Sequence, residues 1–271
     1  MTPVFTFGAG VQWYEAYEAA IQHNRDIVGG ASRSVGVAGG WLAGGGHSAT
    51  SPNYGLGTPN SPVRAKSYSA NCSAGVDNVL EIAIVTADGD HVIANPYQNE
   101  DLFWALRGGG GGTWGVVTSV IYKTQPYTPL TSALLLANST NANSTQNILA
   151  EVIRLTPSLV EHGYGGYCSI SAGQIRLFVL SPNVTAEETQ AIFLPFFVFA
   201  ASQPGVSVQN STAVFQDLWG WYESLFVITG ELVGVPIEAS SLLLPKDIVQ
   251  TDQPEDLAAE LLKLTSAFGY S

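Results

Sequence analysis

Basic residues are scarce in this chain: ten Lys and Arg stand against 22 Asp and Glu among 271 residues, a formal charge of −12. A surface of that sign repels phosphates and counts against nucleic acid as a partner. Cysteine is scarcer still. Cys72 and Cys168 can build neither a dense disulfide framework nor a Cys-rich zinc site, and the sequence leaves their pairing open. Long apolar runs are missing as well: Ala191 to Ala201 contains Pro195 and falls short of the roughly 20 residues a spanning helix needs, so no membrane partner is expected. His23, His91 and His162 lack the spacing of metal ligands. The chain has no P-loop. Gly8-Ala9-Gly10-Val11-Gln12-Trp13 opens like a dinucleotide fingerprint but places a bulky indole where the third small residue must pack, so NAD and ATP are not expected.

What is present is a folding chain, 46% hydrophobic and 12% charged with mean hydropathy +0.17. Asn-x-Ser/Thr sequons begin at Asn71, Asn138, Asn143, Asn183 and Asn210, which suggests a secretory history or simply loops rich in Asn, Ser and Thr. Met1 to Phe5 shows no basic and apolar leader pattern, so a signal peptide is expected to be missing from this chain.

The first half reads as strand, helix, strand. Val4–Phe7 runs into Gly8-Ala9-Gly10; Trp13, Tyr17, Ala20 and Ile21 recur at helical spacing with Asn24 as C-cap; Asp26–Gly29 is a further short strand. Val79–Thr86 and His91–Ala94 flank Ala87-Asp88-Gly89-Asp90, the pattern of a hairpin. Asn99–Leu106 predicts a helix capped by Asn99 with acids in its first turn, and Val116–Lys123 another strand. Glycine crowds positions 29, 30, 36, 39, 40, 44, 45, 46, 55 and 57, then fills 108 to 112 without a break. In an ordinary element each costs up to about 1 kcal/mol relative to Ala, so the backbone here turns tightly or closely approaches a ligand.

After Pro126 the character changes. Pro129 and the polar tract Asn138–Gln146 mark a boundary, with a second domain expected over 127–271. Ile148–Leu155, Ala186–Phe199 interrupted at Pro195, Asp217–Phe226 and Glu255–Phe268 read as helices, Tyr167–Ser171 and Gln174–Leu180 as strands. The fold class is therefore α+β.

Several motifs stand in one order: Ser34-Val35-Gly36-Val37-Ala38-Gly39-Gly40, Gly44-Gly45-Gly46-His47, Tyr54-Gly55-Leu56-Gly57, Val76-Asp77-Asn78-Val79-Leu80, and Asp101 through Gly110. Together they resemble the FAD-linked oxidases of the vanillyl-alcohol-oxidase and berberine-bridge-enzyme type, fungal branch, over about residues 4 to 125. The resemblance implies that residues 1–126 are similar to the second half of a PCMH-type FAD-binding domain, and that 127–271 form part of a substrate-binding domain with an antiparallel sheet. It implies FAD as cofactor, along Ser32, Val35, Gly36, Gly39, Gly40 and Gly46, with Val117 approaching from the later strand. It also implies a small organic substrate and molecular oxygen as partners.

Two departures from the family pattern carry expectations of their own. Ser32-Arg33-Ser34 stands where bicovalent members have a cysteine before a Pro-Thr-Val-Gly run, so a cysteinyl-flavin bond is not available, and His47 follows rather than precedes the Ser34–Gly40 motif, as a polar loop residue would. The insert Thr58–Gly75 separates Tyr54-Gly55-Leu56-Gly57 from Val76-Asp77-Asn78, and is read as an unspliced intron or gene-model error. The chain looks truncated at both ends, and the alternatives are an inactive fragment binding flavin weakly or not at all, or a secreted glycan- or ligand-binding domain. No catalytic residue is singled out; Tyr164, Tyr167 and Tyr222 are read as packed aromatics, as is Trp219-Gly220-Trp221-Tyr222.

Overall fold

The structure, a computed structural model, describes residues 3–54, 75–171, 173–182, 184–226 and 244–267. Cys72, the Asn71 and Asn183 sequons, and the insert up to its last residue Gly75 lie outside them. The chain divides into two compact units, one of residues 1–129 with 216–237 and one of 130–215 with 238–271. The break falls at Leu130, and the chain returns to the first unit at Gln216, a return that the sequence reading does not contain.

In the first unit, β1 (Val4–Gly8) leads into α1 (Trp13–Gln22) and the two-residue β2 (Arg25–Asp26). Short helices α2 (Gly40–Ala43) and α3 (Ser51–Tyr54) punctuate the glycine-rich stretch. After a 3-10 turn at Gly75–Asn78 come β3 (Val79–Val85), β4 (His91–Ala94), α4 (Glu100–Leu106), β5 (Val116–Lys123) and β6 (Gln125–Pro126). The four longer strands form an antiparallel sheet in the order β1-β5-β3-β4, while β2 pairs with β6. Its buried face carries Phe7, Ile82, Ile84, Val120 and Tyr122, and α1 buries Trp13, Ala16, Tyr17 and Ala20.

One cap differs from expectation. Asn99 does precede α4, but in the left-handed conformation (φ 52°), and its side-chain amide donates to the Ile93 carbonyl at 2.7 Å instead of accepting from the helix. Glu100 and Asp101 alone oppose the dipole of that first turn.

The second unit starts with β7 (Leu130–Ser139), followed by α5 (Ala142–Glu161), β8 (Gly165–Ser171), β9 (Gln174–Ser181), α6 (Ala186–Ser202) and β10 (Val206–Phe215). The chain then supplies α7 (Leu218–Phe226) to the first unit, and α8 (Lys246–Val249) and α9 (Pro254–Ala267) to the second. The sheet is antiparallel in the order β10-β7-β9-β8. Leu135, Ile148, Ile175, Phe193 and Phe196 centre its core, each worth about 1.5–3 kcal/mol in burial.

The tract Asn138–Gln146, read as part of a boundary, instead runs from the end of β7 into the first turns of α5. Asn141 makes that possible: its side-chain oxygen accepts from the amides of Asn143 (2.9 Å) and Ser144 (3.4 Å), which helix formation would otherwise orphan. Nor does Pro195 break α6. The carbonyl it frees is that of Ala191, an exposed residue.

Candidate functional site

Three segments of the first unit converge: the turn between β1 and α1, the strip from Ser32 to Gly46, and the glycine run before β5. The strip is laid beside the turn by main-chain bonds. The amide of Trp13 donates to Val35 O at 3.0 Å and that of Val37 to Val11 O at 2.8 Å, so Gln12 and Gly36 face each other as an antiparallel bridge. The turn is fixed in turn to β5 by the Ala9 amide, which donates to Thr118 O at 3.0 Å.

The glycine run closes from the other side. Gly110 donates its amide to Ala43 O at 3.0 Å, and a Cβ on Gly111 would stand 3.4 Å from the Gly40 Cα. Arg107 anchors the start of that run, its guanidinium donating to Val76 O at 3.1 Å and to the Asp77 carboxylate at 3.3 Å.

The glycines of this region separate into two kinds. Those at 29, 30, 46 and 75 make room for protein. A Cβ on Gly29 would lie 2.4 Å from the Trp13 ring, one on Gly46 2.7 Å and one on Gly75 2.0 Å from the Trp41 ring, while Gly30 sits against both indoles. Gly36 and Gly40 have no such neighbour. At Gly40 an added Cβ meets nothing within 4 Å among the described residues, and at Gly36 only carbonyls at an ordinary 3.8 Å. Neither has positive φ, so neither packing nor backbone conformation calls for glycine there. Among the described residues the amides of Gly36, Ala38 and Gly40 also find no protein acceptor. Smooth main chain with several unused donors suits a polar group pressed against it.

Of the residues that the resemblance singles out, Ser32, Val35, Gly36, Gly39 and Gly40 lie along this strip, Gly39 as the residue before α2. Gly46 lies at its far end, under Trp41. Val117 is half-buried on β5 and reaches the same neighbourhood through Thr118 and Ala9. A β-bulge sets its direction: Ser119 pairs with Ala83 and Val117 with Ile84, leaving Thr118 as the extra residue. Val117 therefore shares the buried face with Ile84 and Val120. His47 is exposed.

Burial governs the titratable groups nearby. Asp26 is pushed up to about 6, chiefly by desolvation, and Tyr54, which hydrogen-bonds the Thr128 side chain, to about 12 for the same reason. The Tyr122 hydroxyl, within 2.5 Å of Val28 O and 2.9 Å of Gly75 O, is also held well above its ordinary value by burial.

The three tyrosines read as packed aromatics behave so within their own units. Tyr164 meets the Thr189 hydroxyl at 2.6 Å in the second core, burial pushes Tyr167 up to about 12, and Tyr222 is buried against Trp219 and Tyr17. Sequence reasoning passed over Arg33, noted only as part of a motif difference. Its guanidinium pairs with Glu223 and lies over Tyr14.

No protein-family profile matches the chain. It is similar to FAD-linked oxidoreductase OXR2 of Pyricularia oryzae, 32% identical over 98% of this chain and 41% of that protein. A second relative, FAD-linked oxidoreductase easE of Arthroderma otae, is 41% identical over 68% of this chain and 29% of its own length. Among solved structures, the VAO-type flavoprotein MtVAO615 of Myceliophthora thermophila aligns with a TM-score of 0.70 at 30% identity, covering 82% of this chain and 38% of that one. The chain thus spans about two fifths of the length of the first of these relatives.

Proposed function

By resemblance the chain is an FAD-linked oxidoreductase of the vanillyl-alcohol-oxidase type, and from that premise we propose that its first unit holds FAD along the strip of Ser32, Val35, Gly36, Gly39, Gly40 and Gly46, with Val117 against it. The observation that carries this reading is the pair Gly36 and Gly40, whose bareness no neighbour among the described residues explains. The amides of Gly36, Ala38 and Gly40 would donate to polar atoms of the cofactor, and Val117 would give it an apolar contact. The chemistry FAD supplies when bound is two-electron oxidation of a small organic substrate, with molecular oxygen as the acceptor. The chain's own part is to orient that group and keep it from water. The second unit would contribute to substrate binding.

The test is optical. Purified protein should carry a flavin absorption band or regain it on incubation with FAD; a colourless protein that FAD does not restore refutes the reading. A second reading, a fragment that binds flavin weakly or not at all, draws support from Gly29, Gly30, Gly46 and Gly75, whose space the Trp13 and Trp41 rings already occupy. FAD titration separates the two.

We also propose that the parent protein passes through the secretory pathway. Asn138, Asn143 and Asn210 all lie on exposed positions, where glycans would be accommodated, and no helix among the described residues is long and apolar enough to cross a membrane. Glycosidase treatment of protein secreted from a fungal host should lower its mass.

A further inference from the structure

Arg33 is the one charged side chain between Ile27 and Gly46, and so the only ionic tether that the glycine-rich strip possesses. Its surroundings are built for a guanidinium. The ring of Tyr14, on α1, lies 5.4 Å from the guanidinium carbon, and those of Trp219 and Tyr222, on α7, lie 5.9 Å from it. All three fall within the range of a cation–π attraction. Glu223, one residue beyond Tyr222, closes the arrangement with an ion pair in which both side chains are about two-thirds buried (31% and 36% exposed). The backbone beside Arg33 is held too, since the Tyr14 amide donates to Arg33 O at 3.4 Å.

We propose that Arg33 is a positioning residue for the cofactor: Glu223 and the aromatic trio clamp it, and the clamp fixes the course of the strip from Ser32 to Gly40. The inference rests on the reading of that strip as the FAD-binding edge. Glycine-rich backbone has much conformational freedom to lose, so amides poised for a ligand need fastening from outside the strip. A planar, delocalised guanidinium can pair with a carboxylate and lie against rings at once; a lysine ammonium cannot.

The test compares Arg33→Met, Arg33→Lys, Glu223→Gln, the single reversals Arg33→Glu and Glu223→Arg, and the exchanged pair Arg33→Glu/Glu223→Arg in the full chain. Backbone hydrogen exchange over residues 32–40 is followed without cofactor, and FAD affinity and the visible circular dichroism of bound flavin are followed with it. Arg33→Met should speed exchange across the strip, weaken FAD binding about tenfold and alter the flavin dichroism. Arg33→Lys should recover little of this, and the exchanged pair should recover more than either single charge reversal. Should Arg33→Met not fold, Glu223→Gln carries the same expectations at smaller size. Unchanged exchange together with unchanged affinity and dichroism, whatever the melting temperature does, overturns the proposal. If the wild-type chain binds no FAD, the cofactor reading fails by itself. Exchange over 32–40 then decides whether the clamp exists: faster exchange in the variants upholds it, and equal exchange removes it.

Discussion

The backbone amide of Thr128 donates to the buried carboxylate of Asp26 at 3.2 Å, and the Leu218 amide supplies a second bond to the same group. Thr128 is two residues short of Leu130, where the chain leaves the first unit, and Leu218 is two residues past Gln216, where it returns. One carboxylate therefore ties residues 128 and 218 together within the first unit. It does so at a cost, because desolvation outweighs the amides and Arg25, with Asp217 adding repulsion, and holds the group near 6 against an ordinary 3.8.

The sign of the pH dependence follows. A carboxyl raised in the folded state favours folding while protonated, so its contribution is fully present below about 4 and disappears as pH rises through 6. The shift corresponds to a penalty of about 3 kcal/mol above that range, an upper bound. Asp26→Asn, which keeps an oxygen acceptor for Thr128, should melt several degrees higher than wild type at pH 7.5 and no higher at pH 4. Thermal melts across that range check this, and a variant less stable than wild type at pH 7.5 would contradict it.

Tyr164 is packed in the second core. Its hydroxyl meets that of Thr189 at 2.6 Å, but Thr189 keeps bonds to the Thr131 hydroxyl and the Thr185 carbonyl when that contact is lost. Tyr164→Phe should cost about 1 kcal/mol by chemical denaturation and leave FAD affinity unaltered. A change in flavin affinity or spectrum would return Tyr164 to consideration as a cofactor or substrate group.

The cap of α5 carries a prediction of similar size. Asn141→Ala removes the acceptor for the Asn143 and Ser144 amides and should destabilise by about 0.5–2 kcal/mol. Asn141→Asp, which retains a side-chain oxygen, should keep most of the stability. Urea titration distinguishes them; equal loss in both variants argues against a capping role.

Elements written in strong local signals were legible from the sequence. The hairpin of β3 and β4, with β-branched residues on either side of Asp88-Gly89, matches the expected strands but for Thr86, and α1 buries Trp13, Tyr17 and Ala20 of the predicted stripe. Strands β7 and β10 were not legible. β10, Val-Ser-Val-Gln-Asn-Ser-Thr-Ala-Val-Phe, is largely exposed and owes its form to pairing with β7 along its whole length, a partner no local window contains. The same limit applied at the candidate site. The motifs marked the glycine-rich strip, but not which glycines serve Trp13 and Trp41, nor that α7, 190 residues on from Arg33, supplies the carboxylate that holds it. Both facts depend on contacts distant in sequence.

That division among glycines gives the sharpest test. Gly75 and Gly40 are the same residue type in the same unit, serving opposite ends. A Cβ on Gly75 would overlap the Trp41 ring at 2.0 Å, so Gly75→Ala should cost on the order of 1–3 kcal/mol or more, with any loss of flavin following from the loss of fold. At Gly40 the added methyl meets nothing described within 4 Å and the residue begins a helix, so Gly40→Ala should leave the melting temperature within a degree or two or raise it slightly. Its cost should appear in FAD affinity, because the methyl group would occupy the approach to the main-chain donors. Melting temperature and FAD dissociation constant, measured on both variants, place the two effects on separate axes. If Gly40→Ala binds FAD as wild type does, the bare backbone at residue 40 serves some purpose other than holding the cofactor.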